Sequence, residues 1–389
     1  MLADALRTPA KLLAVVALAL ALASCGTNAP PVICNAPTSS GGSCTCGSGM
    51  PACPISPGPE FLYATSIGGQ ILAFSIDHNS GALTTIGSVP GPSPPSLGLT
   101  TVNNQFLYAS DTHNAQLDGF SINQTTGALT ALAGSPFTTG TFSFPGDLTS
   151  PPGSSLLYAA DADMIDAFTI SAAGAPTALS GSPFLPEVNF SLAVDPSGKF
   201  LYASDDDPPG GIFAFTIDST GVLAAVPDSP FTIPGQTVPN SLPDGIVDTG
   251  SYVYAALSEA NQIAAFSIVS GTSALSPVPG SPFSAGATPI TVVFASGFLY
   301  ALNDSGISGY SVNSNNGVLT SLSGSPFAII GGSISIVTDS FGEYLYVSEL
   351  TGIQAFSINS TSGALTPVAG SPFPANGATL LTVIQIPPS

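Results

Sequence analysis

His113 follows Asp111 by two positions, a spacing at which a carboxylate can orient an imidazole to work as a general base. Such a base is useful in hydrolysis only if the charge developing on the attacked carbonyl oxygen meets a cation, a metal ion or backbone N–H groups. Cations are scarce here. Arg7, Lys11 and Lys199 are the three basic residues, and His78 is the only other histidine. Acidic residues number 23, and many follow similar strand-like segments: Asp111, then Asp161 and Asp163, then Asp205-Asp206-Asp207, then Glu259, Asp304 and Glu349. Hard cations such as Ca²⁺ take clustered carboxylate oxygens. Asp205, Asp206 and Asp207, with Asp161 and Asp163, are therefore the candidate metal ligands, and Ca²⁺ is the candidate cofactor. The competing reading is that Asp is favoured at turns because its side chain bonds to nearby backbone. Asp147 and Asp244 begin other apolar segments and are further candidates.

The elements that position these residues are repeats. A strand of aromatic-Leu-Tyr-Ala type occurs seven times, centred on Tyr63, Tyr108, Tyr158, Tyr202, Tyr254, Tyr300 and Tyr346. A second strand follows each, typically Ala-Phe-Ser-Ile, with its aromatic at Phe74, Phe120, Phe168, Phe215, Phe266, Tyr310 or Phe356. After a turn comes Gly-x-Leu, as at Gly81 to Leu83 and Gly363 to Leu365, with looser third and fifth copies. Gly-Ser-Pro-Phe comes next, as at Gly134 to Phe137 and Gly370 to Phe373, and then an apolar stretch leads into the next tyrosine strand. Four short strands per unit, separated by Gly, Pro, Ser and Asn turns, predict a propeller blade. The prediction is an all-β, seven-bladed β-propeller over residues 60–389. An extra strand at Thr379 to Ile386 is expected to complete the first blade, which abolishes the open edges of the ring.

These four motifs together resemble the lactonase-type seven-bladed propeller family, which includes the propeller type of 6-phosphogluconolactonase and related fungal cycloisomerases. The resemblance covers residues 60–389, and its motifs are structural, so they speak to fold more than to activity. It implies a site on the top face near the axis, worked by His, Glu and Arg. The only arginine is Arg7, and the loops holding His78 and His113 are expected on opposite faces, so none of the family's catalytic residues is carried over. The first expectation is a non-catalytic, monomeric module that binds a protein or glycan on an acidic face. The alternative is an extracytoplasmic lactone hydrolase with a metal-assisted site, His113 acting as base and Asp111 orienting it.

The first residues have the pattern of an export signal. A basic start at Arg7 and Lys11 precedes an apolar run, Leu12 to Leu22, about half the ~20 residues that span a bilayer. It ends in Leu22-Ala23-Ser24-Cys25, which resembles the bacterial lipobox and implies acylation of Cys25. Residues 1–24 are then a signal peptide and residues 25–59 a Gly/Pro/Ser/Cys-rich stalk. The expected location is the bacterial cell envelope, extracytoplasmic and held to the membrane by lipid. Beyond residue 24 only Lys199 is basic, against 22 acidic residues (23 minus Asp4), which excludes nucleic acid as a partner. A chain that is 44% hydrophobic and 7% charged is not compositionally disordered. Cys34, Cys44, Cys46 and Cys53 are candidates for two disulfides of undetermined connectivity.

Overall fold

The structure is a computed structural model. It describes residues 57–94, 96–138, 142, 144–161, 164–184, 191–205, 210–235, 243–304 and 306–388. Cys25, Cys34, Cys44, Cys46, Cys53, Asp163, Asp206 and Asp207 lie outside the described residues. Pro59–Pro387 is one compact unit, and its regular elements are all strands.

The strands form seven antiparallel sheets, one per repeat. The predicted closure is present. Ala378–Gln385 pairs with Glu60–Ser66, Phe61 opposite Ile384 and Tyr63 opposite Thr382, so blade 1 takes its inner strand from the far end of the chain. In every blade the tyrosine strand is one in from the axis, and its leucine or valine lies opposite the aromatic of the third strand. Leu62 faces Phe74, Leu157 faces Phe168 and Leu345 faces Phe356. Tyrosine strands such as Phe106–Asp111 and Tyr252–Leu257 are buried at every residue, because each sheet is covered on both sides by its neighbours.

The tyrosines tie one blade to the next. The Tyr63 hydroxyl donates to Gly127 O, Tyr108 to Gly174 O, Tyr158 to Gly221 O, Tyr254 to Gly317 O and Tyr300 to Gly363 O, at 2.5 to 2.9 Å. Tyr346 of blade 7 donates to Gly81 O of blade 1 at 3.1 Å, which closes the circle. Burial holds the phenol pKa values well above the ordinary tyrosine value, so these groups stay protonated donors. At Gly81 two features favour glycine. Gly81 has φ of +70°, and a Cβ there would lie 2.2 Å from Cδ1 of Tyr344. The looser fifth copy has Ser273 at this position, at φ of +57°, and its bond from Tyr202 is the longest of the seven at 3.3 Å.

Gly-Ser-Pro-Phe stitches the crossover to its own blade. The Ser135 hydroxyl accepts the Gly119 N–H, and Ser371 accepts that of Ala355, both at 2.9 Å. The phenylalanine pairs with the start of the third strand, Phe137 with Leu117 and Phe327 with Ile307. The proline sits between the outer strand and this pairing, where no ladder N–H is required. Blade 1 lacks the motif, and its outer strand continues over Leu83–Pro90, whereas Leu129–Ala131 and its counterparts span three residues.

Candidate functional site

Strand direction sorts the loops between two faces. Tyrosine strands end, and inner strands begin, on the upper face, which also carries the crossovers. The turns after the inner strands and before Gly-x-Leu are on the lower face. His113 is therefore on the upper face and His78 on the lower, so the two histidines do not share a site.

The His113 side chain is exposed, whereas Asp111 is buried. The Asp111 carboxylate accepts the Asn114 N–H at 3.0 Å, the Asn114 side-chain amide at 2.9 Å and the Ser93 N–H at 3.2 Å. The Ser93 bond pins the crossover that leads into blade 2. Two other strand-end acids do the same. Asp161 accepts from the Phe144 N–H, and Glu349 accepts from the Ile330 N–H at 3.1 Å. Asp205 is buried at the matching place in blade 4, while Glu259 and Asp304 are exposed. Asp161 and Asp205 belong to different blades, and among the described residues no group of three or more His, Cys, Asp or Glu is placed to hold a metal ion.

The upper face opens on a cavity of about 400 Å³ where the inner strands begin. All seven blades line it. Its polar residues are Asp147 of blade 3, Ser191 of blade 4, Asp244 of blade 5, Thr291 of blade 6 and Ser335 of blade 7. Leu97 and Leu99 of blade 2, Ile290, Ile336, and Leu380 with Leu381 of blade 1 make up most of the rest. Asp147 and Asp244 reach it because the strands Pro145–Thr149 and Pro243–Asp248 shift register between Pro145 and Leu148 and between Pro243 and Ile246. Irregularities of this kind re-aim side chains at the ends of strands.

The polar wall is fixed in place. Asp147 accepts the Leu192 N–H at 2.8 Å and the Ser191 hydroxyl at 3.2 Å, while Ser191 accepts the Ile246 N–H at 3.4 Å. Burial pushes the Asp147 carboxyl up to about 6 despite these donors. The Ser335 hydroxyl accepts the Leu381 N–H at 3.1 Å and so joins blade 7 to blade 1. A second set of serines, two positions beyond the repeat tyrosine, caps the entering strands. Ser110 accepts the Gly98 N–H at 2.8 Å, Ser204 that of Ser191 at 3.0 Å and Ser348 that of Ser335 at 3.1 Å. The signal for these caps was visible as Tyr108-Ala109-Ser110, Tyr202-Ala203-Ser204 and Tyr346-Val347-Ser348. Lys199 lies in the turn between Leu192–Val194 and Phe200–Asp205, on the face opposite the cavity mouth.

Solved structures share this architecture. A candidate 6-phosphogluconolactonase from Bacteroides fragilis superimposes with a TM-score of 0.66 at 19% identity, over 86% of this chain and 100% of that one. The fold is that of the lactonase-like propellers. A second candidate 6-phosphogluconolactonase, from Bacteroides uniformis, gives 0.65 at 18% identity over 85% and 100%. The periplasmic gluconolactonase of Pseudomonas aeruginosa gives 0.65 at 15% identity over 85% and 99%. No protein-family model matches the sequence, and neither does any curated protein sequence. In this fold the cavity lies where the inner strands of the ring begin, with two carboxylates and three hydroxyl groups among its apolar lining.

Proposed function

We propose that this lactonase-like propeller binds a neutral, polyhydroxylated ligand, a carbohydrate or sugar lactone, in the axial cavity, as a lipid-anchored module of the bacterial cell envelope. The observation that carries the reading is the set of two carboxylates and three hydroxyl groups lining one cavity. Carboxylates accept hydrogen bonds from ligand hydroxyls, and such charge-assisted bonds are about twice as strong as neutral ones. A phosphorylated sugar suits the same wall poorly, because it sets a phosphate against Asp147 and Asp244. Lys199, the one basic side chain among the described residues, is on the other face. Gluconolactone, the substrate class in the name of the Pseudomonas protein, is uncharged; 6-phosphogluconolactone is not.

The test is calorimetry with methyl glycosides, gluconolactone and 6-phosphogluconate, repeated on Asp147→Asn and Asp244→Asn. Binding of the neutral compounds, weakened at least tenfold by either substitution, supports the reading. Preference for the phosphorylated compound refutes it.

Asp147 also gives the hydrolytic reading a specific footing, since a carboxylate with a pKa near 6 can accept a proton from an attacking water. Water would lose a proton to Asp147 as its oxygen bonds to the lactone carbonyl carbon, the ring C–O bond would then break, and the proton would pass from Asp147 to the departing ring oxygen to give the hydroxy acid. A pH-stat assay on gluconolactone, with Asp147→Asn as control, separates turnover from binding.

A further inference from the structure

Beside the cavity, on the same upper face, is a groove of about 530 Å³ whose walls are mostly apolar: Ile67, Pro94, Leu97, Ile334 and Leu380. Leu97, Ile334 and Leu380 line the groove and the cavity alike, so the two are adjacent. Ile67, Leu97 and Ile334 are 60%, 40% and 49% exposed, unusual for side chains of this size. Among the described residues, Phe144, Ile330 and Leu350 add to the exposed apolar side chains of this face. Contiguous exposed apolar surface beside a polar pocket marks a place where something binds.

The groove is built rather than left over. The Ile67 N–H donates to Gly377 O at 2.8 Å, and the Ile67 side chain lies over Gly377, where a Cβ would come within 2.4 Å of Ile67 Cγ1. The opposite wall is held by the Leu97 N–H on the Ser110 hydroxyl at 3.2 Å and the Ser93 N–H on Asp111. An apolar shelf held open in this way, beside a cavity with carboxylates and hydroxyls in its wall, suits a molecule with two unlike ends.

Building on the carbohydrate reading of the cavity, we infer that the groove takes the alkyl or aryl arm of an amphiphilic carbohydrate whose sugar head occupies the cavity. Asp147, Asp244 and Ser191 meet the hydroxyls, while Ile67, Leu97 and Ile334 cover the arm. The combined space, about 400 and about 530 Å³, is of the size that encloses a ligand of this kind.

The experiment uses the full chain carrying Cys25→Ser, so that no detergent is needed. Methyl, butyl and hexyl glycosides of glucose, galactose and mannose are titrated below their micelle concentrations. Affinity is expected to rise roughly two- to fourfold per methylene, the gain from burying one such group. In Ile67→Ser the chain-length dependence should flatten while methyl glycoside affinity stays the same; Ile67 lines the groove and not the cavity, and its side chain is 60% exposed, so the fold is kept. Methyl glycosides that bind with no chain-length dependence overturn the groove and leave the cavity reading standing. Chain-length dependence that survives Ile67→Ser also overturns it. Alkyl binding that ignores both the sugar and Asp244→Asn removes the sugar head, and failure of every glycoside to bind removes both readings.

Discussion

Gly81→Ala tests whether the tyrosine-to-glycine contacts hold the ring closed. Two costs are expected. A left-handed backbone costs an L-residue with a side chain about 1–2 kcal/mol, and φ at Gly81 is +70°. The added Cβ would also lie 2.2 Å from the Tyr344 ring, and overpacking of this sort costs about 1–3 kcal/mol. The total is about 2–5 kcal/mol, concentrated where blade 7 meets blade 1. Gly153→Ala is the control. Its φ is +65°, but a Cβ there meets nothing within 4 Å, so only the backbone cost of about 1–2 kcal/mol applies. The assay is urea unfolding followed by circular dichroism and by tyrosine fluorescence, which is unobscured because the chain has no tryptophan. If the two variants agree to within about 0.5 kcal/mol, a spread typical of independent substitutions, the packing of blade turns on aromatic rings does not secure the closure.

Tyr254→Phe should cost about 1–3 kcal/mol in the same assay, because it leaves the buried Gly317 carbonyl without its donor at 2.9 Å. Tyr202→Phe should cost less, since its bond to Ser273 is already 3.3 Å long. Stability should also depend on pH through Asp147. Its folded pKa, about 6, is above the unfolded value, so the native state binds the extra proton between about pH 4 and 6. The contribution is complete below the unfolded pKa and is lost as pH rises through 6. Wild type should therefore gain stability relative to Asp147→Asn when the pH falls from 7 to 4, as measured by thermal unfolding across that range.

Periodicity made the architecture legible. The seven tyrosine strands, the Ala-Phe-Ser-Ile strands and the unpaired last strand sufficed to place four strands per blade and the closing strand. The partnership between Tyr63 and Gly127 was hidden because it joins different repeats, and nothing in one repeat names its acceptor in the next. Its trace is the retention of glycine at Gly81, Gly127, Gly221, Gly317 and Gly363, which sequence reading explains equally well by the turn alone. The strand-end acids were visible as a group on one face. Asp111, Asp161 and Glu349 each accept a crossover N–H, the local role that carboxylates at turns commonly play. Asp147 and Asp244 stood out as carboxylates at the start of apolar segments. Ser191 and Ser335 did not, because a serine in a chain this rich in serine carries no signal. The groove was beyond reach altogether, since Ile67, Leu97, Ile334 and Thr379 come from the two ends of the chain and meet only when the ring closes.

The circuit of tyrosine bonds also bears on how the molecule comes apart. A linear array of repeats has two terminal units with a single neighbour each, and these fray first unless special caps protect them. Here Tyr346 hands its hydrogen to Gly81, so each blade has two neighbours and none is an end. No unit can peel away while the rest persists, and unfolding must begin by breaking into the circle. Where the covalent chain starts then matters little to the ring: a gene reordered to begin at another crossover would rebuild the same seven contacts.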